Sequence, residues 1–321
     1  MKKHLVFIAL LFNPLFSTSQ SLKIEVPIYD ITLNKGFNIA DVFMKNGVPY
    51  MYCYDTQTGL IGVWNMIDSE NPITQGNIKS GWDMLKMNSS EGKITLLKAR
   101  NGKNGVETAL SGCNLENPLN QTNIYEKNYS GSWSFMNAFS FNQEQFLFLY
   151  SKNSGYQNIQ QLSTISSDSI RNVRSIIYEK GIDFFDIAST SSHHYLLLRS
   201  SAKKQISILR YNLDGSKSEV VWIPDHERLV NRKLSYELAN KWSHTKLFSH
   251  NNSVYVFLYE KISGAIKVFA VDESLTFLTC IFNTIWSSDW TNFNIIYIDD
   301  TPYLFHQKES NGLARLSRIV L

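Results

Sequence analysis

The chain says nearly the same thing twice. FLFLYSKNSGYQNIQQL begins at position 146, and VYVFLYEKISGAIKVFAV begins at position 254. Aligned on Tyr150 and Tyr259, each copy has a glycine five residues later, Gly155 or Gly264. Each has a phenylalanine eleven residues earlier, Phe139 or Phe248, and a tryptophan seventeen residues earlier, Trp133 or Trp242. The same ruler finds Phe37, Phe43, Tyr54 and Gly59, and then Trp290, Ile296, Gln307 and Gly312. Two looser copies complete the set. One runs from Trp82, with a one-residue slip, to Gly105; the other runs from Ile182 through Arg199 to Lys204.

Six copies therefore begin at Phe37, Trp82, Trp133, Ile182, Trp242 and Trp290, spaced 45, 51, 49, 60 and 48 residues apart. The last has only 32 residues before the chain ends at Leu321. Residues 21–36, SLKIEVPIYDITLNKG, read as the missing end of a repeat. Each copy reads as strand, turn, strand, turn, strand, loop, strand, with turn signals such as Asn46-Gly47 and Asn311-Gly312. Four short strands per unit of about fifty residues is the pattern of a β-propeller. A four-stranded unit cannot bury both faces alone, so neighbours must stack. The sequence predicts an all-β, six-bladed propeller whose last blade is closed by the mature N-terminal strand.

The start, MKKHLVFIALLFNPLFSTSQS, has a short basic region, an apolar run from Leu5 to Phe16 and small residues Ser17 and Ser19 before a cut at Gln20. That is the order of a signal peptide over residues 1–19, leaving 20–321 as a single domain. The run is too short and too interrupted, by Asn13 and Pro14, to span a bilayer, and no later stretch does so. The expected location is secreted, periplasmic or at the cell surface. The net charge is +3, of which Lys2 and Lys3 contribute two, leaving +1 for the remainder. A near-neutral chain argues against nucleic acid as partner. The three cysteines, Cys53, Cys113 and Cys280, fit no metal spacing and read as small side chains in strands.

The first strand of each blade carries the chemistry. Three and five residues past the start lie mostly apolar columns, Ala40, Leu85, Met136, Phe185, Thr245, Phe293 and Val42, Met87, Ala138, Ile187, Leu247, Ile295. These face the inter-blade core. The column between them is polar in all six copies: Asp41, Lys86, Asn137, Asp186, Lys246 and Asn294. It reads as a channel wall or as hydrogen bonds between inner strands. It also reads as an axial binding site, with Asp41 and Asp186 from opposite blades capable of acid–base work unless the two lysines neutralise them. The starting column, with Trp82, Trp133, Trp242 and Trp290, reads as packing anchors or as platforms for sugar rings. Copy four is the longest, and its extra length near Asp225, His226 and Glu227 reads as a loop; His193-His194 reads as an exposed turn.

The phrase from Trp133 through FLFLY to Gly155, repeated from Trp242 to Gly264, resembles the repeat of secreted propeller lectins of bacteria, fungi and invertebrates. That resemblance implies blades that bind carbohydrate without catalysis. The six-bladed fucose-binding lectins offer an arginine and a glutamate from each blade, and no such pair recurs here. Nucleophile-elbow, zinc-protease and phosphate-loop motifs are absent, so no catalytic residue, cofactor or metal site is indicated. The expected protein is a carbohydrate-binding, lectin-like propeller acting on a glycan or a cell-surface or extracellular protein. The alternatives are a glycosidase or lyase working at the channel mouth through Asp41 and Asp186, or a protein-interaction scaffold.

Overall fold

The computed structural model describes residues 22–321 except 34–35, 68–69, 91–92, 103–104, 114–119, 131–132, 142–143, 163–170, 178–179, 192, 201, 203–204, 213–222, 229–241 and 273–277. The expected signal segment lies outside the described residues, as do most of the residues that lengthen copy four. Six antiparallel sheets are formed, and no described residue is helical. No helix is long and apolar enough to cross a membrane among the described residues. The protein is a six-bladed β-propeller.

The inner strands are Ile39–Lys45, Met84–Ser90, Phe135–Phe141, Phe184–Ser189, His244–His250 and Asn292–Ile298. Each begins two residues past the first residue of its sequence repeat. The register agrees as well. The polar column pairs with Tyr52, Leu97, Phe148, Leu197, Phe257 and Phe305 of the second strands, one equivalent position in every blade. The two loose copies are therefore structural repeats in full. Copy two slips because its second and third strands stay paired as far as Gly102 and Gly105.

Six apolar clusters fill the six blade interfaces. Between blades 5 and 6, for example, Phe248, Phe257 and Tyr259 meet Trp290, Phe293 and Leu304. Alternation explains the division: Phe293, three residues into its repeat, faces the preceding blade, while Phe248, six residues in, faces the following one. The last blade is completed by the N-terminal segment. Lys23–Ile24 and Tyr29–Thr32 both pair with Leu313–Val320, with Lys23 opposite Val320 and Tyr29 opposite Leu316. The last strands and the first thus share one sheet, which closes the ring as the sequence predicts.

The repeated tyrosine is the latch between blades. The Tyr54, Tyr150 and Tyr259 hydroxyls accept the backbone N–H of Trp82, Ile182 and Trp290, the first residues of the next repeats, at 3.4, 3.3 and 3.1 Å. Where the column changes, the partner does not. Arg199 donates to the Trp242 carbonyl at 2.7 Å, and Gln307 donates to the Phe37 carbonyl at 3.4 Å. The Tyr259 hydroxyl also donates to the Ser287 carbonyl at 3.2 Å. Tyr259→Phe leaves the buried Trp290 N–H without its acceptor, and is expected to lower stability by about 1–2 kcal/mol, read from the urea midpoint.

Two loop expectations are corrected. Ile223–Arg228, which contains Asp225, His226 and Glu227, is the outer strand of blade 4, with Pro224 opposite Tyr211. An outer strand needs only one partnered edge, so it tolerates proline and charge that read as loop. His194 is buried, at 0% exposure, in the strand His193–Ser200. Its position two before Leu196 places it on the face packed against blade 3.

Candidate functional site

The inner strands surround a cavity of about 510 Å3 on the propeller axis. Its lining includes Lys86, Asn137, Asp186, Lys246 and Asn294 from the polar column, beside apolar Val42, Leu247 and Ile295. Read around the ring, blades 1 to 6 contribute Asp, Lys, Asn, Asp, Lys, Asn. The order repeats after half a turn, which makes the ring pseudo-twofold.

The two halves are not used alike. Asp41 is held on both oxygens. Oδ1 accepts the Val42 N–H at 2.8 Å and the Asn294 side-chain amide. Oδ2 accepts Lys86 Nζ at 2.5 Å and lies 3.4 Å from the Tyr52 hydroxyl, which donates to the Leu85 carbonyl at 2.7 Å. Asp41 sits behind these partners and does not line the cavity. Asp186, three blades away, is 8% exposed and takes the Leu247 N–H of the next blade at 2.7 Å. Burial raises its carboxyl above the usual carboxylate range, opposed by the Lys246 charge and by the amides of Leu247 and Ile187. The ion pair formed at Asp41 and Lys86 is thus not repeated at Asp186 and Lys246 among the described residues.

Below the polar ring is a second set that sequence reasoning missed. Ser89, Ser189, Ser249 and Tyr297 line the same cavity. All stand seven residues past the start of their repeats, and that shared spacing was the available signal. Ser249 donates from Oγ to the Ser189 carbonyl at 2.5 Å and from its N–H to the Tyr297 hydroxyl at 2.9 Å. Ser189 Oγ lies 2.6 Å from Nδ1 of the buried His194.

The tryptophans stand apart from this site. Trp82 and Trp290 are 6% and 1% exposed. Cations cover their rings: Arg100 at 5.1 Å over Trp82, and Lys308 at 5.0 Å over Trp290. Trp133 and Trp242 are half-buried, Trp133 tilted against Tyr156 and Trp242 beneath Lys267. Of the four, these two are the less buried. The structure brings Asp186 to the cavity, sets Asp41 just behind its wall and places the four tryptophans between blades. The cysteines are free and sit on three different blades; no group of three potential metal ligands forms among the described residues.

No family model matches the chain, and no curated protein matches it in sequence. Among solved structures it is similar to a subtype N10 neuraminidase-like protein of A/little yellow-shouldered bat/Guatemala/060/2010. The TM-score is 0.59 at 8% identity, over 91% of this chain and 99% of that one. It also matches a GH43_1 enzyme from Xanthomonas citri, with a TM-score of 0.47 at 11% identity over 81% and 95% of the two chains. The WD40 domain of Toxoplasma gondii coronin matches with a TM-score of 0.47 at 13% identity over 88% and 69%. The first likeness, at such identity, supports the propeller fold alone. The other two overlap too loosely to add to it.

Proposed function

We propose that this propeller is an exported, non-catalytic binding protein whose axial cavity takes a small carbohydrate. The observation that carries the reading is the state of Asp41. A general acid or base needs an oxygen free to exchange a proton with substrate. Both oxygens of Asp41 are occupied, and one faces an ammonium group. Asp186 is then left without a second carboxylate to work with. The cavity suits recognition instead. Its volume falls within the range of about 300–1,000 Å3 usual for small-ligand sites, and it mixes apolar wall with converging polar groups. Export follows from the N-terminal pattern of residues 1–19.

One observation favours the enzymatic alternative. A buried carboxyl with a raised pKa, such as Asp186, is suited to protonate a leaving group. Both readings are tested by screening the chain from Gln20 onward on a broad glycan array and then incubating it with the glycans it selects. Selective binding with the glycan recovered intact is the expected result. Cleavage that disappears in Asp186→Asn would establish the glycosidase or lyase, and binding only to protein partners would establish the scaffold.

A further inference from the structure

The hydrogen bonds around the axial cavity are unevenly distributed, and that unevenness selects a ligand. Several acceptors facing the axis are already engaged among the described residues. Asp186 takes the amides of Leu247 and Ile187. Asn294 Oδ1 takes the Ile295 N–H at 2.9 Å, and its amide nitrogen serves Asp41. The Ser189 carbonyl takes the Ser249 hydroxyl.

The donors are in excess. Lys246 lines the cavity, and its ammonium group carries three N–H bonds with no hydrogen-bond or ion-pair partner among the described residues. Lys86 has two protons left after serving Asp41 among the described residues. Asn137 lines the cavity, and its side-chain amide has no hydrogen-bond partner among the described residues. The charges point the same way. Asp41 cancels the charge of Lys86, so among the described residues Lys246 is the lining ammonium group with no ion pair. A cavity lined by an ammonium group with unmatched N–H bonds is completed by an anion.

We infer that the axial cavity binds an acidic sugar, its carboxylate or sulfate group seated on Lys246 with Asn137 and Lys86 as further donors. The inference rests on the carbohydrate reading for the sugar ring and on this donor excess for the anion. The pseudo-twofold ring supplies its own comparison. The Asp41–Lys86 half shows what the motif does when protein closes it, and the Asp186–Lys246 half shows the same motif with its lysine open.

The test is calorimetric titration of the chain with a digalacturonate, a sulfated disaccharide, their uncharged counterpart and citrate, at low and moderate salt. Lys246→Met and Lys246→Arg are run beside the parent. Lys246 is partly exposed and makes no hydrogen bond or ion pair among the described residues, so neither variant is expected to disturb folding. The expected result is that one acidic disaccharide binds at least tenfold more tightly than the uncharged one. Binding then weakens as salt rises, falls at least tenfold in Lys246→Met and is largely kept in Lys246→Arg. Carboxylate and sulfate arms decide which anion is taken. Equal binding of charged and uncharged sugars, unchanged in Lys246→Met, would overturn the anion inference and leave the carbohydrate reading standing. Lys246-dependent binding of citrate with no sugar binding would do the reverse. No binding of any probe would overturn both.

Discussion

Gly312→Ala is expected to loosen the closure of the ring, lowering stability by about 3 kcal/mol or more. Gly312 has φ 76° and donates to the Lys308 carbonyl at 2.8 Å. Alanine in that backbone conformation costs roughly 1–2 kcal/mol by itself. The larger part is steric. A Cβ here would stand 2.2 Å from the Leu33 carbonyl oxygen, which is backbone of the closing N-terminal segment. Leu33 in turn donates to the Gly312 carbonyl at 2.8 Å, so the segment cannot withdraw without losing that bond. The control is Gly47→Ala. Gly47 has the same φ, 76°, but nothing within 4 Å of the added carbon, and about 1 kcal/mol is expected. Thermal and urea unfolding of the two variants give the difference. Equal costs would mean that the N-terminal segment does not lie against Gly312.

Acid is expected to unfold the protein well before its carboxylates are protonated. Burial holds the His306 imidazole down at about 3, with Arg315 and Lys308 adding to the effect. Burial likewise holds His194 and His244 down at about 4. His306 is 3% exposed, has neither ring nitrogen hydrogen-bonded among the described residues, and lies 4.1 Å from the Trp290 ring. These rings are neutral in the folded protein, whereas in the unfolded chain they take up protons near pH 6.5. Below pH 6.5 the unfolded chain therefore binds more protons, and stability falls as pH falls until the folded values are reached. At about 1.4 kcal/mol per pH unit, each ring contributes roughly 2–3 kcal/mol of loss between pH 6.5 and 4.5. Urea midpoints across that range measure the slope. His306→Phe, compared with its own stability at pH 7, is expected to lose about 2 kcal/mol less than the parent. An unchanged slope would mean that His306 titrates normally in the folded state.

Much of the fold was legible because each repeated column has one physical task. The tyrosine column works as a latch to the first residue of the next blade, and Arg199 and Gln307 do the same work with other atoms. The glycine column recurs because the outer strand passes close by: a Cβ on Gly59, Gly264 or Gly312 would meet a backbone oxygen at 2.1, 2.0 or 2.2 Å. The polar column was legible for a related reason, since alternation leaves one position per inner strand turned to the axis. What a column cannot encode is the difference between its members. Asp41 and Asp186 are equivalent in sequence, yet one meets a lysine at 2.5 Å and the other meets a backbone amide at 2.7 Å. Nor does a single histidine pair in a run of serines announce its burial; His194 is inward because it is the second residue of its strand, on the same face as Leu196. The serine set on the cavity wall went unread because serine is as common in turns as in channels.

The most direct test of the axial site compares two sets of variants on one glycan array. The channel variant is Asn137→Leu with Lys246→Met. The blade-interface variant is Trp133→Ala with Trp242→Ala, which alters the two less buried of the repeated tryptophans. Both are first shown to be folded by circular dichroism. Binding at the axis requires that the channel variant lose the glycans the parent selects while the tryptophan variant keeps them. Glycans lost by the tryptophan variant and kept by the channel variant would contradict the account and move the site to the blade interfaces.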